Sequence, residues 1–174
     1  AYPHMGFDQY LSLETMPFGK EDMVRSYVSD QAFYEYMVKV IDPIQEPVFL
    51  FAVTMQNHGG YTWEDQVYNT GQLPVEDQVD ILSPQGHFPQ AQQYLNLLYT
   101  SDRAYEWLIN HYSQSKEKVA IVLFGDHWPA MTDGFEEALK GTIAKEDYAF
   151  INHTVPYMIW SNYPLEAPGV KTDL

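Results

Sequence analysis

Apolar residues along the chain fall into three short unbroken runs and two longer stretches of helical spacing. Val119 to Phe124 is a run of mostly β-branched and aromatic side chains closed by Gly125. Unbroken rather than alternating apolarity predicts a strand covered on both faces, as in a parallel or mixed sheet. Val48 to Met55, introduced by Pro47, repeats the pattern and closes on Gln56-Asn57-His58-Gly59-Gly60. Val155 to Trp160 is the third run and ends in Ser161-Asn162. Phe33, Tyr36, Met37 and Val40 recur at helical spacing, predicting a helix over 31–41 that Ser29 or Asp30 caps and Asp42-Pro43 stops. The longest helical pattern covers 91–115, where Leu97, Leu98, Tyr105, Leu108 and Tyr112 lie on one apolar stripe. Such a helix is expected to cross between the runs at 48–55 and 119–124 in a right-handed βαβ unit. A short strand is expected around Phe7 to Leu11, and a short helix over 135–140 closed by Gly141.

The chemistry sits where the runs end. Open α/β sheets bind ligands at the carboxyl ends of their strands, and here one run delivers Asp126-His127 and another Asn57-His58. A carboxylate and an imidazole from one turn offer a hard oxygen and a borderline nitrogen, a pair that suits Mn²⁺ or Zn²⁺ better than Mg²⁺ or Ca²⁺. Asn57 and His58 both carry donors suited to an anion, and Gly59 and Gly60 permit close backbone approach. The three runs are therefore expected in one sheet, with His58 and Asp126 at the same edge. Between Thr62 and Gln90 the chain turns polar and rich in Pro, a long excursion of the kind that lies over a site. Its Trp63, Tyr68 and His87 either pin that loop to the body or stack on a glycerol or sugar.

Composition narrows the class. With 174 residues, 45% apolar and 16% aromatic, the chain suffices for one α/β domain with a core. The absence of Cys removes disulfides, thiolate zinc sites and thiol catalysis together. A formal net charge of -15 repels phosphate backbones, which argues against nucleic acid as a partner. An anionic substrate stays compatible with that charge when a bound divalent cation inverts the local potential. No apolar run reaches the roughly 18 residues of a membrane span.

Met5-Gly6-Phe7-Asp8, Thr54-Met55-Gln56-Asn57-His58-Gly59, Phe124-Gly125-Asp126-His127-Trp128-Pro129 and Val155-Pro156-Tyr157-Met158-Ile159-Trp160-Ser161-Asn162-Tyr163 occur in that order. Together they resemble the sulfatase-like catalytic domain of lipoteichoic acid synthases and related bacterial phosphoglycerol transferases, within the alkaline phosphatase superfamily. The resemblance implies an α/β sandwich with a mostly parallel central sheet flanked by helices. It also implies an enzyme at the extracellular face of a bacterial cell membrane, anchored through an N-terminal region not in this chain. Such an enzyme uses a threonine nucleophile and one divalent metal, Mn²⁺ in most members and Zn²⁺ or Mg²⁺ as alternatives. It moves glycerol phosphate from a phosphatidylglycerol-type lipid to an envelope glycolipid or glycan acceptor. Carried over residue by residue, Asp126 and His127 match metal ligands and His58 matches the histidine that contacts the substrate phosphate. The nucleophilic Thr, an acidic metal ligand and a phosphate-binding Arg would lie upstream of Ala1. Residues 1–174 are thus expected to be one partial catalytic domain, cut at both ends and inactive alone.

Two other readings stand beside this one. A sulfatase or phosphohydrolase of the same superfamily shares the Asp-His pair. A non-catalytic glycan-binding module would put the 14 Tyr and 4 Trp to use as stacking platforms.

Overall fold

The computed structural model describes residues 2–61, 88–132, 134–141, 144–151 and 153–165. After a 3₁₀ turn at Tyr2–Met5 comes a small antiparallel hairpin, β1 (Met23–Val24) and β2 (Tyr27–Val28), in the register Met23↔Val28 and Val24↔Tyr27. Helix α1 (Asp30–Ile41) follows directly. Ser29 caps it, its hydroxyl accepting the Ala32 amide at 3.2 Å, and Asp42 closes it ahead of Pro43. Helix α2 (Pro89–Ser113) starts on a proline, whose missing N–H costs nothing in a first turn.

The two helices pack side by side and make the core. Tyr34 of α1 meets Ala104, Tyr105, Leu108 and Tyr112 of α2, all at most 7% exposed. Beneath them lies an antiparallel pair, β3 (Ala120–Phe124) and β4 (Tyr157–Ser161), running from Ala120↔Ser161 to Phe124↔Tyr157. The register partners Ile121 and Trp160 pack against the helix core together with Val119. Helices α3 (Phe135–Lys140) and α4 (Lys145–Ile151) lie in the connection that brings the chain back beside β3.

Asn162 locks the sheet to α2. Its Oδ1 accepts the Val119 amide at 2.9 Å, and its Nδ2 donates to the carbonyls of Tyr112 at 3.1 Å and Glu117 at 2.8 Å. One side chain thereby bonds a carbonyl in the last turn of α2, where a helix leaves carbonyls without intrahelical partners, and another in the segment that leads from α2 to β3.

Several expectations need correction. Among the described residues Val48 to Met55 joins no ladder, and it is exposed throughout, Phe49 to 78%. Phe7 to Leu11 is not a strand either, and Phe7 stacks on Phe49 with ring centroids 6.0 Å apart. No parallel pair and no βαβ unit occurs among the described residues, because β4 pairs with β3 in the antiparallel sense. Nor is β3 covered on both faces. The helices cover the Ile121 side, while Val122 and Phe124 remain 57% and 55% exposed, opposite Ile159 at 53% and Tyr157 at 42%. An unbroken apolar run records that a strand requires cover, not which residues supply it. Helix α4 and the β1/β2 hairpin were not among the elements expected from the sequence. Trp63, Tyr68 and His87 lie outside the described residues.

Candidate functional site

Two loops carry the polar residues, and each is held by different parts of the fold. The first is the turn after β3. Gly125 donates to the Pro156 carbonyl at 3.2 Å, and a Cβ at Gly125 would stand 3.4 Å from the Cβ of Val155. Trp128 donates through Nε1 to the Thr154 carbonyl at 2.7 Å. The turn is thus pinned on both sides against the segment that leads into β4, with Asp126 and His127 projecting between the pins. They are 82% and 70% exposed, so any ion held there would face water.

The pair is arranged for a shared cation. His127 Nδ1 lies 2.8 Å from the Trp128 carbonyl oxygen, which can only accept, so Nδ1 carries a proton and Nε2 is the nitrogen left to face an ion. Backbone carbonyls hold metal-ligating histidines in this way. Nε2 stands 3.4 Å from Asp126 Oδ2. Two ligand atoms each about 2.1 Å from one metal lie about 3.0–3.4 Å apart at near-octahedral to tetrahedral angles, so the pair fits a single ion. Asp126 Oδ1 accepts the His127 amide at 2.9 Å, which aims the carboxylate. Among the described residues no group of three or more His, Asp or Glu converges, so these two are a partial ligand set.

The second loop follows residues 48–55 and turns on Gln56, a side chain only 2% exposed. Its Oε1 accepts the Asp30 amide at 3.0 Å, and its Nε2 faces the Leu97 carbonyl and the Thr100 and Ser101 hydroxyls at 3.1, 2.9 and 3.0 Å. One amide therefore joins the loop to the start of α1 and the middle of α2. Asn57 adds a bond from Nδ2 to Ser101 Oγ at 2.8 Å, which ties one of its two amide hydrogens to α2. His58 is exposed, with Nδ1 2.9 Å from the Tyr27 hydroxyl. Arg25, 1% exposed, donates to the carbonyls of Gln56, His58 and Gly60.

Beneath the loop, Asp30 is 2% exposed. Burial pushes its carboxyl above the ordinary value, opposed by hydrogen bonds from Ser101, the Gln56 amide and Thr54. The structure thus brings Asp126 together with His127, and Asn57 together with His58. Among the described residues no hydrogen bond or ion pair joins the two loops. Sequence reasoning missed Gln56, Arg25 and Tyr27. A signal for the last two was present, since Met23-Val24-Arg25-Ser26-Tyr27-Val28 flanks a two-residue turn symmetrically with strand-forming residues.

Comparison with known proteins assigns the family. The chain matches the Sulfatase family over residues 1–172, and it belongs to that family. Members share an α/β fold, are generally transferases or hydrolases, and use divalent metals. A curated relative is the "Putative cyclic beta-1,2-glucan modification protein" of Rhizobium meliloti (strain 1021). It is 28% identical over 173 residues, an alignment covering 93% of this chain and 25% of that protein. The chain therefore spans about a quarter of the length of that relative. No solved structure matches it. Among the described residues no helix is long and apolar enough to cross a membrane.

Proposed function

We propose that this chain forms part of a metal-dependent phosphoglycerol transferase of the lipoteichoic acid synthase type. It would move glycerol phosphate from a phosphatidylglycerol-type lipid to a glycolipid or glycan acceptor at the extracellular face of a bacterial membrane. The observation that carries the reading is the Asp126–His127 pair, with Nδ1 tied to the Trp128 carbonyl and Nε2 3.4 Å from Oδ2. Membership of the Sulfatase family and a relative named for glucan modification support it.

In this reading Asp126 Oδ2 and His127 Nε2 hold one divalent cation, Mn²⁺ best suiting the mixed oxygen and nitrogen set and Zn²⁺ or Mg²⁺ the alternatives. When bound, the cation activates a hydroxyl nucleophile and neutralises charge building on the phosphoryl group. The chain's own residues do the rest. Trp128 O keeps the His127 proton on Nδ1, and Asp126 Oδ1 is fixed by the His127 amide. His58 donates a ring N–H to a non-bridging phosphoryl oxygen, stabilising charge that grows toward the transition state. Asn57 contributes by tying that loop to Ser101.

The test uses the intact protein carrying this sequence, incubated with phosphatidylglycerol, Mn²⁺ and a cyclic β-1,2-glucan. Phosphorus NMR of the glucan is expected to show a glycerol phosphate diester, absent with Asp126→Ala. Sulfate release from an aryl sulfate without phosphoglycerol transfer would replace this reading with the sulfatase one, which the same Asp–His pair serves. Saturable metal-free glycan binding, unchanged in Asp126→Ala and without turnover of either substrate, would replace it with the binding module.

A further inference from the structure

Arg25 occupies a position that strongly favours glycine. It is the first central residue of the two-residue turn between β1 and β2, where its φ is +57°, and it is the one non-glycine among the described residues with positive φ. Hairpin turns of this length place Gly, Asn or Asp at such points because a side chain strains the backbone there. What offsets the strain is on the other end of the side chain. Nη1 donates to the Gly60 carbonyl at 2.8 Å, and Nη2 to those of Gln56 at 3.1 Å and His58 at 2.6 Å. The guanidinium also lies 5.4 Å from the ring centroids of both Tyr27 and Tyr61. Three carbonyls of one short loop converge on one planar fork, a geometry that a lysine ammonium does not reproduce. With its carbonyl drawn inward, His58 has its side chain directed outward, and the same hairpin meets it there. Tyr27 Oη lies 2.9 Å from His58 Nδ1, with the rings 5.3 Å apart at 50°.

We infer that Arg25 and Tyr27 are positioning residues for His58: the clamp fixes the loop, and the tyrosine hydroxyl donates to Nδ1, leaving the ring proton on Nε2 as the donor aimed at the substrate phosphoryl oxygen. In a neutral imidazole one nitrogen donates and the other accepts, so a Tyr27 bond into Nδ1 selects the tautomer that can donate outward. Without it the two tautomers interchange, and one of them turns a lone pair toward an anionic oxygen. The role in turnover rests on the reading of His58 as the phosphate contact. The tautomer does not.

Two measurements separate those layers. Long-range proton–nitrogen NMR of His58, assigned by comparison with His58→Gln, is expected to show the Nε2–H tautomer in the wild type and a mixture in Tyr27→Phe. In the intact protein, Tyr27→Phe is expected to lower kcat about tenfold, the low end of what losing a histidine's orienting partner costs, with KM little changed and no further loss on a His58→Gln background. Arg25→Gly keeps the turn's backbone preference and removes the fork. It is expected to lower kcat as Tyr27→Phe does and to speed exchange of the His58 amide, which donates to the Met55 carbonyl at 3.0 Å. An Nδ1–H tautomer in the wild type, or a Tyr27→Phe loss that persists undiminished on the His58→Gln background, overturns the positioning role. Unchanged turnover in His58→Gln with the tautomer as expected overturns the phosphate-contact reading instead, and the assigned catalytic consequence with it.

Discussion

Ser101 Oγ donates to Asp30 Oδ2 at 2.6 Å across 71 residues of sequence, and the same hydroxyl faces the amides of Gln56 and Asn57. A buried acid raised by desolvation is thus held partly in check by a hydroxyl on α2. Because the folded value lies above the unfolded one, the folded state binds the proton more tightly. The stability this proton linkage adds is complete below about pH 4 and is lost as pH rises through the raised folded value.

Ser101→Ala removes the largest interaction opposing that rise and takes away the acceptor of the Asn57 amide, while the Gln56 amide keeps the Leu97 carbonyl and the Thr100 hydroxyl. It is expected to cost about 1–3 kcal/mol, and more at pH 7 than at about pH 3, where the carboxyl is protonated in both states. Urea unfolding of wild type and variant at the two pH values measures this. A cost equal at both would mean that Asp30 ionisation is not linked to Ser101.

The parts of this arrangement legible in the sequence were the local ones. Ser29 announced the start of α1, the stripe through Leu97, Tyr105 and Tyr112 announced α2, and Asp126-His127 followed an apolar run to a strand end. What escaped depends on distance along the chain. Gln56 finds its partners 26 to 45 residues away and Arg25 finds its carbonyls 31 to 35 away, and no periodicity encodes such meetings. The hairpin strands have two residues each, too few for alternation to register. Strand direction escaped for a different reason, since unbroken apolarity reports cover and is silent on whether a neighbour runs parallel or antiparallel.

The outward face of β3 and β4 joins Val122, Phe124, Tyr157 and Ile159, and Phe49 is more exposed than any of them. Contiguous apolar surface of this kind drives association. The chain by itself is expected to self-associate in sedimentation velocity experiments. Val122→Thr with Ile159→Thr should shift it toward monomer while changing unfolding free energy by less than about 0.5 kcal/mol per site, the usual range for surface changes. Undiminished association in the double variant would place the adhesive surface elsewhere.

Two buried phenols predict alkaline lability. Burial, with the neighbouring Tyr94 phenol adding to it and Arg25 opposing, pushes Tyr61 up to about 12; burial and the Asp42 carboxylate push Tyr112 up to about 12. Their folded values exceed the unfolded value near 10. The stability linked to them is complete below about pH 10 and is lost as pH rises to about 12, roughly 2–3 kcal/mol for each at most. Denaturant midpoints across that window should fall, and phenolate absorbance should show a late fraction that appears only with unfolding. In Tyr112→Phe the fall should be shallower, though not abolished, because burial also raises Tyr34, Tyr94 and Tyr105. All 14 tyrosines ionising together near pH 10 would contradict this.

Metal affinity follows from the exposure of the Asp126–His127 pair. Two ligands at 82% and 70% exposure hold an ion against solvent on both sides, whereas a closed site surrounds it with about four. Mn²⁺ is therefore expected to bind this chain no better than roughly millimolar, about 4 kcal/mol. It should stabilise the fold by only about 0.4 kcal/mol when its concentration equals Kd. The bond from His127 Nδ1 to the Trp128 carbonyl leaves Nε2 as the coordinating atom, so paramagnetic broadening by Mn²⁺ should centre on the His127 ring and the Asp126 carboxylate. Asp126→Ala should abolish that broadening while leaving the fold intact, since its carboxylate bonds only within the turn. Micromolar affinity by calorimetry would mean that further ligands in this chain complete the site, and broadening centred on His58 would mean that the ion prefers the other loop.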